Sequence, residues 1–198
     1  MRRLFQSKVL MTTVISFAMA MGLAACGGSS PKWEGGAKND DIRGQLMAQK
    51  AKLAQKGILA TVATATSKDL QTAIDKVELD CRAQMARALE TKIENMQKQF
   101  KEEVGDEYLS TFSNVTNGIT STVISGTILQ ESPYRRGKDG TYEVHGLMVL
   151  DSKLFKDALA QQMAANQALK ARWAASKAYE DLDKEVKEFE EYKKEQGR

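Results

Sequence analysis

Residues 58–104 carry the strongest structural pattern of the chain and read ILATVATATSKDLQTAIDKVELDCRAQMARALETKIENMQKQFKEEV. Its opening, Ile58 to Thr66, is short and rich in β-branched side chains, which is typical of a strand. From Leu70 to Val104 apolar residues recur at steps of three and four, the spacing of one helix face. This stripe consists of Leu70, Ile74, Val77, Cys81, Met85, Leu89, Ile93, Met96, Phe100 and Val104. The sequence predicts a strand and then a helix of roughly 50 Å, capped by Thr66 or Ser67. A helix of that length either projects from the domain or is covered by a partner.

The chain after Gly105 predicts the rest of a small sheet. Residues 106–125 space their apolar side chains as a helix does, while their Thr, Ser and Asn content favours a strand, so both remain open. Residues 126–134 and 141–150 predict two strands joined by a turn at 135–140, where Asp139-Gly140 is the hairpin signal. In the second strand Tyr142, Val144, Met148 and Leu150 alternate with Glu143 and His145, which predicts two different faces.

Helices are predicted on both sides of this segment. Residues 40–56 indicate a short helix that ends at Gly57, and residues 153–195 indicate a long one capped by Asp151. The second half of the long helix keeps a narrow apolar seam between charges, formed by Leu182, Val186 and Phe189. Such a seam predicts either a coiled-coil contact between chains or a solvated tail helix. The fold class expected is α+β, with a small antiparallel sheet packed on a long amphipathic helix and an extended C-terminal helix.

The N-terminus has the pattern of a bacterial lipoprotein signal. Arg2, Arg3 and Lys8 precede an uncharged, largely apolar run from Val9 to Ala25. This run is at the short limit for a transmembrane helix, which needs about 20 apolar residues. It ends in Leu23, Ala24, Ala25 and Cys26, which resemble the lipobox in which the cysteine is lipidated after cleavage. An ordinary signal peptide with an incidental cysteine is the alternative. The domain boundaries predicted are 1–25 for the signal peptide, 26–41 for the lipidated cysteine and flexible tether, 42–150 for the α+β module and 151–198 for the charged helix.

The residues around Cys26 bear on where the chain is held. Glycines and serines after Cys26 prevent regular structure, and Trp33 within this tether is expected either at the membrane interface or on the domain. Gly27 stands where lipoproteins retained at the inner membrane commonly have aspartate, so the resemblance points to the outer membrane. The only cofactor-like group expected is the covalent lipid on Cys26, since one acyl chain anchors marginally and two or three anchor stably.

Charge excludes one class of partner. The full chain has 29 Lys and Arg against 26 Asp and Glu. Removing residues 1–25 removes Arg2, Arg3 and Lys8, which leaves 29 − 3 = 26 basic side chains against 26 acidic ones. A neutral exported protein is not expected to bind nucleic acid.

Strand, long helix and hairpin together resemble a known family. GILATVATATSKDLQTAIDKVELDCRAQMARALETKIENMQKQFKEEVG, followed by GTILQESPYRRGKDGTYEVHGLMVLD, is similar to the Lpp-twenty family of bacterial outer-membrane lipoproteins, typified by a twenty-kilodalton surface lipoprotein. That family includes the flagellar outer-membrane lipoprotein FlgP. The resemblance covers about Gly57 to Leu150 and implies a small sheet against one helix, no enzymatic activity, no catalytic residues and, in the flagellar member, assembly into rings or disks. The long C-terminal helix departs from a minimal family member.

Few residues suggest chemistry. His145 is the only histidine in the chain, and a partly buried structural role is favoured over that of a base beside Glu143. No spacing assembles a metal site, and hydrolase, zinc-peptidase and nucleotide-binding motifs are absent from the sequence. Cys81 within the apolar stripe is expected to be inert, with an intermolecular disulfide as the alternative.

The basic turn Arg135, Arg136 and Lys138 is expected to be solvated, or alternatively to bind anionic headgroups. The function expected is a lipid-anchored, non-enzymatic envelope lipoprotein that self-associates or contacts other envelope proteins. The alternative is an envelope enzyme or a ligand-binding module with a site near His145.

Overall fold

The computed structural model describes residues 33–34 and 41–197. The strands are β1 (Trp33–Glu34), β2 (Ala60–Ser67), β3 (Ile128–Glu131), β4 (Tyr134–Gly137) and β5 (Tyr142–Val149). The helices are α1 (Ile42–Gln55), α2 (Leu70–Val104), α3 (Leu109–Asn117), α4 (Thr120–Ser125), α5 (Ser152–Gln162), α6 (Gln167–Ala174) and α7 (Lys177–Glu195). A single 3-10 turn, Asp106–Tyr108, precedes α3. The predicted α+β class is confirmed.

The long helix α2 has the predicted bounds but a different cap. The carboxylate of Asp69 accepts the backbone N–H of Thr72 at 2.7 Å, so Asp69 is the N-cap instead of Thr66 or Ser67. This bond satisfies one of the amides that the first turn of a helix leaves unpaired. At the other end Gly105 takes a positive φ of 81°, which glycine adopts without steric cost, and the helix ends there.

The sheet is antiparallel and β5 is its central strand. Along one edge β5 pairs with β2 over the whole length of both strands, from Ala60 opposite Val149 to Ser67 opposite Tyr142. The other edge is divided between β3 and β4. Between these two strands the carbonyl of Pro133 accepts the N–H of His145 at 2.9 Å, so the ladder continues through the break.

Both faces of the sheet are covered, which is more than the predicted packing on one helix. Val144 and Met148 of β5 belong to the same buried cluster as the stripe of α2. On the opposite face, Leu147 and Val149 belong to a second cluster with residues of α1 and α7. Because successive side chains of a strand alternate between faces, the central strand buries every residue from Val144 to Val149.

Residues 106–125 are helical, which resolves the alternative left open by the sequence. The Phe112 ring lies 4.6 Å from that of Phe100 in α2 and 5.1 Å from that of Trp173 in α6. The hydroxyl of Thr116 donates to the carbonyl of Phe112, one turn earlier, at 3.0 Å. This bond gives a buried threonine a partner inside a helix, so the Thr content that favoured a strand is compatible with α3.

The C-terminal segment forms three helices where one was predicted. Asn166 accepts the N–H of Leu169 at 2.9 Å and Ser176 accepts that of Tyr179 at 3.2 Å, so each starts a new helix. These helices and α3 and α4 also cover the far half of α2. The stripe residues Val77, Cys81, Met85, Leu89, Ile93, Met96 and Phe100 are all buried. The expectation that α2 projects or needs a partner is therefore wrong.

Candidate functional site

The predicted anchor residues, Leu23, Ala24, Ala25 and Cys26, lie outside the described residues. Within the described part of the chain, no helix combines the length and the apolar character that crossing a membrane requires.

The segment that follows the lipobox contains a strand. Within the predicted tether, β1 pairs with β4, so that Trp33 lies opposite Gly137 and Glu34 opposite Arg136. The prediction of a flexible tether throughout 26–41 is therefore wrong at these two residues. Six residues, 27–32, separate Cys26 from this strand in the sequence. The backbone of residue 33 consequently belongs to the domain, at the edge of its sheet.

The predicted basic turn is divided between a strand and a loop. Arg135 and Arg136 lie in β4, and because neighbouring strand residues face opposite ways, their side chains separate. Arg135 binds both carboxylate oxygens of Glu143, at 3.1 and 3.2 Å. Arg136 lies 5.3 Å from the centre of the Tyr142 ring on the other face. Lys138 is exposed in the loop. The three residues therefore do not form one cationic patch.

The same loop is held to the start of α2 by an ion pair that the sequence did not indicate. Lys68 lies 3.0 Å from the carboxylate of Asp139, and that carboxylate also accepts the N–H and the hydroxyl of Thr141. The Thr141 bonds and Lys68 hold the pKa of Asp139 well below its usual range. Both partners are more than half exposed, so the pair fixes the loop conformation and contributes little stability.

His145 is packed inside the domain. The residue is 3% exposed, with Nδ1 2.9 Å from the hydroxyl of Thr64 and Nε2 3.0 Å from a carboxylate oxygen of Glu143. Burial is the main cause that lowers the pKa of His145, and the positive charges of Arg135 and Arg43 add to it against the opposing effect of Glu143. A neutral imidazole is therefore favoured at this position.

This environment matches the structural role that the sequence favoured for His145. The carboxylate of Glu143 is shared with Arg135, and the ring lines none of the clefts described below. The hypothesis of an enzyme or ligand site near His145, which called for a concave pocket around the ring, stays a hypothesis.

The predicted contact seam of α7 is used inside the chain. Leu182 is 2% exposed and belongs to the α2 cluster, while Phe189 is 4% exposed and packs in the second cluster. Val186 between them is half-buried. Because α7 crosses from α2 and α5 toward α1, its apolar face has intramolecular partners. The prediction of a contact seam for another chain is therefore wrong for Leu182 and Phe189, which are buried inside this chain.

Cys81 is a buried core residue. Its side chain is inaccessible, and its sulfur lies 3.8 Å from the carbonyl oxygen of Gly146 in β5. Burial raises the pKa of the Cys81 thiol, so the reactive thiolate is disfavoured. This location matches the inert role that the sequence favoured over an intermolecular disulfide.

A buried polar cluster joins α2, α5 and α7. Glu185 is 6% exposed, forms an ion pair with Lys92 and accepts a hydrogen bond from the Ser152 hydroxyl at 2.7 Å. Sequence reasoning missed this cluster, because Lys92 and Glu185 are distant in the chain and each sits in a charged segment. A salt bridge of this kind fixes how α7 lies on the long helix.

Several clefts border α7, and two of them separate it from another helix. The first, of about 410 Å³, lies between α7 and α2 beside Lys92, Gln99 and Glu185. The second, of about 560 Å³, lies between α7 and α1 beside Lys52, Leu53 and Tyr192. Among the described residues, no group of three or more His, Cys, Asp or Glu side chains is placed to hold a metal ion.

Comparison of the chain with family models, with curated proteins and with solved structures gives no match.

Proposed function

We propose that this chain is a lipid-anchored bacterial envelope lipoprotein, held at the outer membrane through Cys26, whose folded domain makes structural contacts with other copies of itself. One observation carries the proposal: a basic start, an apolar run and the sequence Leu23-Ala24-Ala25-Cys26 follow one another in the order that lipoprotein processing requires. The thiol supplies the nucleophile for thioether formation, and small residues before it suit cleavage at that point.

The described domain is compatible with a role in contacts between proteins. The side chains that suggested chemistry are buried within the fold: Nδ1 of His145 contacts the Thr64 hydroxyl, and Cys81 lies in the α2 core. The domain also begins within a few residues of the anchor, because β1 starts at Trp33. At about 3.5 Å per extended residue, residues 27–32 reach at most about 20 Å. The domain is therefore expected to stay close to the membrane surface.

The anchor is tested by replacing the cysteine. In a host that processes lipoproteins, Cys26→Ala is expected to give an uncleaved precursor or a released protein, and to abolish labelling with radioactive palmitate. Cys81→Ala is the matched control, since it removes the other cysteine and leaves the lipobox intact; it should be labelled and membrane-bound. A mature, membrane-bound Cys26→Ala protein would refute the anchor.

The choice of membrane is tested separately. Gly27→Asp places aspartate directly after Cys26 and is expected to move the protein from the outer-membrane to the inner-membrane fraction of a density gradient in an enteric-type host. An unchanged distribution between the two fractions would contradict the proposed sorting, while the palmitate label would still report the anchor.

A further inference from the structure

We propose that the hairpin end of the sheet, defined as loop 138–141 with β4 and the adjoining ends of β2 and β5, rests on the membrane that holds the lipid. Arg136 and Lys138 are the residues that contact the phosphate groups of the lipid headgroups there. The inference rests on the proposed function, because it takes the lipid on Cys26 as given. It adds which surface of the domain meets the membrane.

The direction of β1 places the anchor at the hairpin end. Strand β1 pairs antiparallel with β4, so its first residue, Trp33, lies opposite Gly137, the last residue of β4. The chain that leads back to Cys26 therefore leaves β1 beside loop 138–141. Because residues 27–32 reach at most about 20 Å, the membrane that holds the lipid must lie close to this end.

Helix α2 starts at the hairpin end and runs away from it. The Lys76 ammonium lies 3.5 Å from the carbonyl oxygen of Thr66, near the loop end of β2. The Thr61 hydroxyl, toward the other end of β2, donates to the carbonyl of Cys81 at 3.1 Å. The helix is therefore antiparallel to β2. At 1.5 Å per residue the last turn of α2 lies about 50 Å from its start, so the two ends of the helix distinguish a domain that stands on its hairpin end from one that lies flat.

The hairpin end exposes side chains of the kind that bind at a membrane interface. Tyr134 is 51% exposed, and its ring makes an edge contact with the Tyr142 ring at a centroid distance of 6.0 Å. The Arg136 guanidinium lies 5.3 Å from the centre of the Tyr142 ring, and both Arg136 and Lys138 are exposed. Rings with a polar tip and long cationic side chains are favoured at the level of the headgroups, because their apolar parts are buried there while their polar ends stay hydrated.

The charge of this end complements an anionic lipid surface. Residues 134–141 contain three cationic side chains against one carboxylate, that of Asp139. This carboxylate lies 3.0 Å from the Lys68 ammonium, so its charge is balanced within the fold. One of the three cations is turned to the opposite face of the sheet, as described above. Arg136 and Lys138 therefore present the cationic groups that an anionic headgroup attracts.

The test uses the full, lipidated chain in vesicles of phosphatidylethanolamine and phosphatidylglycerol. A fluorophore attached through Thr66→Cys reports on the hairpin end, because Thr66 is exposed near the end of β2 and is not one of the proposed contact residues. Glu102→Cys is the matched control, since Glu102 is exposed near the other end of α2. The native cysteines do not take the label, because Cys81 is buried and Cys26 carries the lipid.

Phospholipids with a nitroxide on the headgroup quench only fluorophores that come close to them. They are expected to quench most of the fluorescence at Thr66→Cys and little of it at Glu102→Cys. Equal quenching at the two sites would mean that the domain lies flat, and quenching at neither site would leave the hairpin end free for a protein partner; either result would overturn the inference while the anchor stands. A chain that does not sediment with the vesicles would refute the anchor itself, and the inference with it.

A second comparison tests the two cations. Arg136→Gln combined with Lys138→Gln removes the same charge as Lys184→Gln combined with Lys187→Gln on the exposed side of α7. Each cation near an anionic surface contributes about fivefold to binding, so the first pair should shift the equilibrium between bound and free hairpin end by roughly 25-fold. The second pair should leave the quenching at Thr66→Cys unchanged.

The lipid can be changed instead of the protein. Replacing phosphatidylglycerol by phosphatidylcholine removes the anionic headgroups and should reduce the quenching at Thr66→Cys with the wild-type contact residues in place. This measurement decides the case in which a double variant does not fold. Equal quenching in the two double variants, or quenching that does not change when the anionic lipid is removed, would overturn the proposed contact between the cations and the headgroups.

Discussion

Phe189 distinguishes a core role for α7 from a contact role. The ring is 4% exposed and shares its cluster with Leu53 and Ile58, and it lies 6.4 Å from the Tyr192 ring. Truncating a buried phenylalanine to alanine costs about 3–5 kcal/mol in unfolding free energy. This cluster is the smaller of the two and the Lys193 ammonium lies 5.6 Å from the ring, so solvent is close. Phe189→Ala is therefore expected at the lower end, about 3 kcal/mol.

The assay is urea unfolding of the full chain, followed by circular dichroism. With a slope of about 2 kcal/mol per molar urea, a loss of 3 kcal/mol moves the midpoint down by about 1.5 M. The matched control is Lys187→Ala on the same helix. The Lys187 side chain is 74% exposed and its ion pair with Asp183 lies at the surface, so the change is expected to stay within about 0.5 kcal/mol.

The result also decides between two uses of the helix. If α7 presented Phe189 to another chain, truncation would weaken association and leave the stability of the monomer nearly unchanged. A midpoint shift of Phe189→Ala below about 0.5 M, together with loss of dimers, would refute the packing of α7 onto α1 described above. A large shift in a variant that still dimerises at low denaturant supports it.

Three further outcomes follow from the buried contacts. Gly146→Ala would place a Cβ 2.2 Å from a Val77 methyl group, so we expect a loss of about 1–3 kcal/mol in the same urea assay; an unchanged midpoint would contradict the close approach of β5 to α2. Lys92→Met leaves Glu185 buried without its cation, so the unfolding free energy should fall by about 3–5 kcal/mol. Adding Glu185→Leu to Lys92→Met removes the unpaired charge and should recover part of that loss. Equal losses in the single and the double variant would contradict the role of the buried ion pair. Burial holds the pKa of His145 below its ordinary 6.5, so the unfolded chain takes up the proton first as the pH drops. The unfolding free energy should therefore fall as the pH drops below about 6.5. A His145→Gln variant whose unfolding free energy has the same pH dependence would exclude His145 as the cause.

The parts of the fold that sequence predicts are those with long, regular patterns. Helix α2 was predicted at both bounds because ten turns of apolar residues at steps of three and four admit no other period. Strand β5 was predicted because its side chains alternate and a hairpin signal precedes it. In both cases the information is local, so neighbours in the sequence suffice.

The parts that sequence missed depend on distant partners. The narrow seam of α7 was correctly seen as apolar, but three apolar residues between charges do not indicate whether another chain or α1 covers them. Glu185 lies on the same buried face of α7, and its ion pair with Lys92 of α2 explains why a carboxylate is found there. Strand β1 is two residues long and has no pattern of its own. Its existence depends on the edge that β4 offers.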